Sequence, residues 1–153
     1  MSVALPPIPP LHTFRRPIDG AECLRILAVT GWGVLAMVDE QARPYAVPVG
    51  YAWDGTALYV ATTPGRKLRA MEQNPRVALT LVSTSPQDQW HSLLVEATVH
   101  WVEDPQERMR AIRAFARQPR PGSELGVPDA GHLLHARIAR LAITELAGRG
   151  RAG

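Results

Sequence analysis

The chain has 153 residues, 46% of them hydrophobic and 20% charged. These figures suit one domain with a real core and exclude a disordered polymer. Its formal net charge of +3 favours anionic partners, small phosphorylated ligands among them, without singling out nucleic acid.

The opening "MSVALPPIPPL" has no basic start and no apolar block of signal-peptide length, so residues 1–13 are expected to form an extended proline-rich arm. Next, Asp19 is a good N-cap with Glu22 three residues on, and Gly31 is a plausible stop. This spacing predicts a helix over 19–29, with Cys23, Leu24, Ile26 and Leu27 as its apolar face. Cys23 is the single cysteine, which rules out an intramolecular disulfide and makes the cytoplasm the expected compartment. The longest mostly apolar run, residues 27–38, is shorter than the roughly 20 residues of a membrane helix, and no membrane span is expected.

The pattern then changes to period two. Residues 34–38, 45–52 and 57–62 read as three strands of an antiparallel meander, with "DEQARP" and "WDGT" as the turns. Pro48 cannot donate to a ladder, so it belongs on an edge or at a bulge. In "ATTPGRKLRAMEQNPRV", residues 61–77, Thr63 can cap a short helix, Pro64 can take its first position and Asn74-Pro75 ends it. Residues 76–82 and 90–103 read as strands. Residues 104–118 form the clearest helix, opened by Asp104, Pro105 and Glu107, with Met109, Ile112, Phe115 and Ala116 on one face and its arginines solvated. A closing strand is expected around 137–146, and 147–153 as a frayed basic tail. Strands in this order, with helices inserted, suggest a small antiparallel barrel.

The corner at residues 61–67 carries the most chemistry. A helix N-terminus offers unpaired N–H groups and a partial positive charge, so anions bind there. Thr62 and Thr63 add hydroxyls, Gly65 keeps the backbone open, and Arg66 and Lys67 lie in the first turn. Cations in a first turn oppose the helix dipole, a conflict that an anion seated between them relieves. The bland alternative is a surface turn with two solvated bases. There is no Walker loop and no dinucleotide fingerprint.

Residues 43–82, "RPYAVPVGYAWDGTALYVATTPGRKLRAMEQNPRVALTLV", resemble the core of the pyridoxamine 5'-phosphate oxidase-like flavin-binding split barrels. "WHSLLVEATVHWVEDPQERMRAI" is similar to that family's next block. "FRRPIDGAECLRIL" resembles the N-terminal block of the branch containing nitroimidazole-resistance proteins. The resemblance covers roughly residues 14–118. It implies a mainly β (α+β) fold, a six-stranded antiparallel split β-barrel with short flanking helices, as one domain over 1–153. It also implies a homodimer with two FMN sites at the subunit interface and an FMN-dependent oxidoreductase activity. Carried over residue by residue, the backbone of Val47, Pro48 and Val49 lines the isoalloxazine edge. Thr62 and Thr63 reach ribityl or phosphate oxygens, and Arg66 and Lys67 clamp the phosphate. Trp90, His91 and Ser92 approach the flavin from the partner subunit. That branch often has a histidine where Ala61 stands, so chemistry resting on that histidine is not carried over. The C-terminal substrate residues of the vitamin-oxidising members are not found either.

Other candidates are weaker. His132 and His135 are three apart, half of a metal site with no third ligand nearby, and no metal is expected. His91 and His100 lie nine apart on one strand and point to opposite faces. No catalytic side chain is assigned, and substrate and electron donor stay open. Deazaflavin or haem in the same fold, a non-catalytic flavin-binding module, and nucleic-acid binding through the arginine-rich helix are the competing readings. The last ranks lowest, for that helix carries no interleaved aromatic platform.

Overall fold

The computed structural model describes residues 15–84, 90–118 and 130–151. The arm expected at 1–13, residues 85–89 and 119–129, and the end of the tail expected at 147–153 lie outside the described residues. The elements in chain order are β1 (Arg15–Pro17), α1 (Gly20–Thr30), β2 (Trp32–Val38), β3 (Pro44–Gly50), β4 (Ala52–Trp53), β5 (Leu58–Thr62), α2 (Arg66–Gln73), β6 (Arg76–Thr84), β7 (Trp90–Trp101), α3 (Pro105–Arg117), α4 (Ala130–His135) and β8 (Arg137–Arg151). Among the described residues no helix is long and apolar enough to cross a membrane.

One antiparallel sheet runs in the order β3-β2-β6-β7-β8-β5-β4, with β1 added on β8. It curls into a split barrel whose path ends at β3 and β4. The six strands expected become eight, because β1 and β4 are only three and two residues long and too short for a periodic pattern. Both turns of the expected three-strand meander form hairpins, β2 with β3 from Trp32↔Gly50 to Val38↔Pro44 and β4 with β5 at Ala52↔Tyr59 and Trp53↔Leu58. The middle strand is split, however: β3 and β4 lie at opposite ends of the sheet, and β5 pairs on its other side with β8. The Tyr51 amide, donating to the Gly31 carbonyl at 3.0 Å, is the last bond in register with the β2–β3 ladder, and the chain leaves for β4 after it. Period two shows that a segment is extended without naming its neighbour.

The inward faces make the main core. Leu35, Leu58, Leu79, Leu93, Val95 and Leu141 are each 2% exposed or less, and β2 and β7 alternate buried with open positions as half-buried strands must. Helices α1 and α2 close the barrel with Ile26, Leu27, Ala70 and Met71. Asp19 caps α1, its carboxylate accepting from the Glu22 amide at 2.8 Å, and Gly31 ends it at φ 77°. The buried Tyr51 hydroxyl completes that end, donating to the Leu27 carbonyl at 2.6 Å and accepting from the Gly31 amide at 3.1 Å. Leu24, expected on the buried face, is exposed.

A second cluster covers the outer side of β4, β5 and β8, where Phe115, Ala111 and Ala114 of α3 meet Tyr59, Ala61, Leu133 and Ile138. The small alanines let α3 lie close to the sheet, so Met109 and Ala116 face outward instead. Arg108 is not a solvated surface base. It donates to the carbonyls of Leu133, Leu134 and Ala136 and completes the end of α4.

Nor does the C-terminus fray at 147. β8 runs to Arg151, pairing Ala147 with Leu94 and Gly150 with His91, and Pro17 of β1 with Arg149. The glycines that read as fraying make room. A β-carbon at Gly148 would strike Ile18 and the Cys23 sulfur, and one at Gly150 would sit 3.0 Å from the His91 ring.

Candidate functional site

Where β5 hands over to α2, a cleft of about 280 Å³ opens between that junction and the edge strand β3. It is lined by Tyr45, Val47, Pro48, Thr62, Thr63, Pro64, Gly65, Arg66 and Lys67. Val47, Pro48, Thr62, Thr63, Arg66 and Lys67, all singled out from the sequence, therefore share one hollow. The helix does not start as the sequence suggests. Gly65 rather than Thr63 holds the N-cap position, with no side-chain cap, and Arg66 rather than Pro64 opens the helix. A glycine cap offers no side-chain oxygen to the first-turn amides, and among the described residues no other side chain accepts from them at the cleft. Buried Thr62 donates its hydroxyl to the Thr63 carbonyl at 3.1 Å, while Thr63 is exposed.

The two bases differ. Arg66 is held from two sides: it donates to Asp39 Oδ2 at 2.9 Å and lies over the Tyr45 ring, 4.0 Å from its centroid. Asp39 is itself buried and fully used, accepting from the amides of Gln41 and Arg43 and from Arg43 Nε. These bonds, the Arg43 amide first and then Arg66, hold its carboxyl well below the usual aspartate range. Lys67 is half-buried, and desolvation pushes its pKa down. Among the described residues its ammonium has no hydrogen-bond acceptor or ion-pair partner.

Among the described residues β3 pairs only with β2. Along its other edge the backbone groups of alternate residues are free to meet a flat ligand, and Pro48 sits on that edge as its missing donor requires. Val49, on the same face of the strand as Val47, is buried in the core at 5% exposure and does not line the cleft. Trp90, His91 and Ser92 lie elsewhere. Thr62 pairs with Arg137 on β8, and Ala139 of β8 pairs with Trp101, so the cleft adjoins the C-terminal end of β7. Trp90 and His91 begin that strand beside Thr84 and Gly150, roughly 30 Å away along it. Ala61 faces the outer cluster under α3, so a side chain at that position turns away from the cleft.

Sequence reasoning missed Asp39 and Tyr45. Asp39 read as part of a turn and Tyr45 as a strand residue. Only the four-residue spacing to Arg43 hinted that Asp39 holds a cation. Among the described residues no group of three or more His, Cys, Asp or Glu could hold a metal ion.

A split barrel with a basic cleft on its edge strand defines the class. Residues 19–150 match the family model described as pyridoxamine 5'-phosphate oxidase, and the chain belongs to that family. An uncharacterised protein of Rhizobium meliloti is 30% identical, with 76% of this chain and 81% of that protein covered. A crystal structure of an FAD-binding protein from Mesorhizobium loti superposes with a TM-score of 0.74 at 25% identity, over 90% of this chain and 99% of that one. A candidate 5-nitroimidazole antibiotic resistance protein from Bacteroides thetaiotaomicron shares the fold, with a TM-score of 0.71 at 17% identity, over 90% of this chain and 87% of that one.

Proposed function

We propose that this chain is a flavin-binding oxidoreductase that takes FMN in the cleft between β3 and the β5–α2 junction. The observation that carries the reading is Lys67, a half-buried cation with no partner among the described residues, beside a helix N-terminus that no side chain caps. Burying a cation without a counter-charge is costly, and a phosphate at the first-turn amides would relieve that cost with charge-assisted hydrogen bonds. The donor set fits such a tail. Arg66 and Lys67 supply charge, and the free edge of β3 at Val47 and Pro48 supplies a wall for a planar ring. The FAD-binding relative of the same fold supports a flavin in general.

When bound, FMN supplies the hydride or electron chemistry. The chain's own residues bind and orient it: Lys67 and Arg66 neutralise the phosphate, while Val47 and Pro48 shield one edge of the ring from water. The reading includes a homodimer in which a second copy completes each site. The outer face of β2, β6 and β7 supports it, because Val34 and Leu94 are exposed there on either side of Thr80, with exposed Val82 two residues further along β6. Trp90, His91 and Ser92 are then assigned to the cleft of the partner copy. A cytoplasmic setting suits the single buried cysteine.

The test is the absorption spectrum of the purified protein, followed by FMN titration with thermal melting, with a deazaflavin and haem titrated in parallel. The reading expects flavin bands that stay with the protein and a melting temperature that rises with FMN. Neither bound chromophore nor stabilisation at saturating FMN contradicts it, and preferential uptake of haem or deazaflavin would reassign the cofactor.

A further inference from the structure

We propose that Asp39 is a positioning residue for the cleft: it holds the Arg66 guanidinium where the phosphate end of the ligand arrives, although it lines no part of the cleft. The inference rests on the FMN reading above and adds the β2–β3 turn to the site. Asp39 stands 27 residues before Arg66, yet its Oδ2 accepts from the Arg66 guanidinium at 2.9 Å and from Arg43 Nε at 3.1 Å. Its Oδ1 accepts from the backbone amides of Gln41 and Arg43, both at 2.9 Å. The turn thus pins the carboxylate, and the carboxylate pins the arginine. Tyr45, one residue inside β3, supports the guanidinium face at 4.0 Å. An arginine has five N–H donors in a rigid fork. Asp39 takes one nitrogen of that fork, and the remaining donors are left for the cleft.

The charge balance agrees. Two guanidinium groups share one carboxylate, so a single positive charge is left over at Asp39, and Lys67 adds another. An arginine left to rotate would lose conformational entropy when it closed on a ligand. One already held by Asp39 and Tyr45 has lost it on folding. The neighbouring pair Glu40–Arg69, 2.7 Å apart with both side chains exposed, ties the same turn to the same helix without touching the cleft. It is an internal control for mere tethering.

The experiment measures affinity for FMN and for riboflavin, which lacks the phosphate, in the wild-type chain and in D39N, E40Q, R66A, R66K and D39N/R66A. The proposal expects D39N to weaken FMN about tenfold and to leave riboflavin unchanged. E40Q should change neither, and the double variant should bind no worse than R66A alone. R66K keeps the charge but cannot be held by both Asp39 and the Tyr45 ring, so it should lose FMN affinity as R66A does. This arm stands even if D39N fails to fold, because Arg66 is half-exposed. FMN binding by D39N or R66K at the wild-type level, with R66A weakened, overturns the positioning role alone. Equal losses of FMN and riboflavin in D39N, or a matching loss in E40Q, overturn it as well. Absence of FMN binding by the wild-type chain overturns the cofactor reading and this inference together.

Discussion

A β-carbon placed on Gly148 would lie 2.7 Å from the Cys23 sulfur and closer still to Ile18. The last strand therefore accepts α1 and its lead-in only because residue 148 has no side chain. The obstructing atoms are Cγ1 and Cδ1 of Ile18 and the sulfur of the buried Cys23, and all three would have to shift together. Gly148→Ala should destabilise the chain by about 1–3 kcal/mol, the usual cost of overpacking. At Gly20, the first residue of α1, nothing lies within 4 Å, and alanine there should be neutral or stabilising by up to about 1 kcal/mol. Urea unfolding of the two variants checks the contrast. Wild-type stability in Gly148→Ala would contradict the packing.

Gln118 is a buried side chain that joins three elements. It accepts from the Trp53 amide at 2.9 Å and donates to the Ala28 carbonyl at 3.1 Å, from just beyond the end of α3. Gln118→Ala leaves a backbone donor and a backbone acceptor without their partner, at a cost of about 1–3 kcal/mol each where water cannot enter. Denaturant midpoints should drop accordingly, and the amides of β4 should lose protection in hydrogen exchange. Unchanged protection there would argue against the bridge.

Much of the frame was legible because its signals are local. Asp19 with Glu22, and Asp104 with Pro105 and Glu107, announce α1 and α3 within four residues, and each carboxylate caps as its position implies. The corner from Thr62 to Lys67 was legible for the same reason, as a single turn. What was not legible depends on distant partners. β5 pairs with β8, almost 80 residues on in sequence. Glycines 148 and 150 meet Ile18, Cys23 and His91 across the sheet. Asp39 meets Arg66 across a hairpin and a strand. Local pattern gives the conformation of a segment, whereas neighbours are chosen by the packing of the whole barrel.

The pH dependence of stability should carry the mark of Asp39. Its carboxyl titrates below the ordinary value when folded. Its contribution is therefore complete above the unfolded aspartate pKa of about 3.9 and is lost as pH falls through the lowered folded value. The wild-type melting temperature should drop on acidification below about pH 4. D39N should show a flatter acid limb, since asparagine has no proton to take up. Parallel limbs in the two proteins would show that other carboxylates dominate.

The central claim is that Lys67 meets the phosphate of a bound flavin. The most direct measurement is the dissociation constant for FMN and for riboflavin in the wild-type chain and in Lys67→Ala. The account predicts that removing the ammonium costs about 2 kcal/mol toward FMN, roughly thirtyfold in affinity, and leaves riboflavin binding as it was. FMN affinity unchanged by the substitution, or FMN and riboflavin weakened alike, would contradict it.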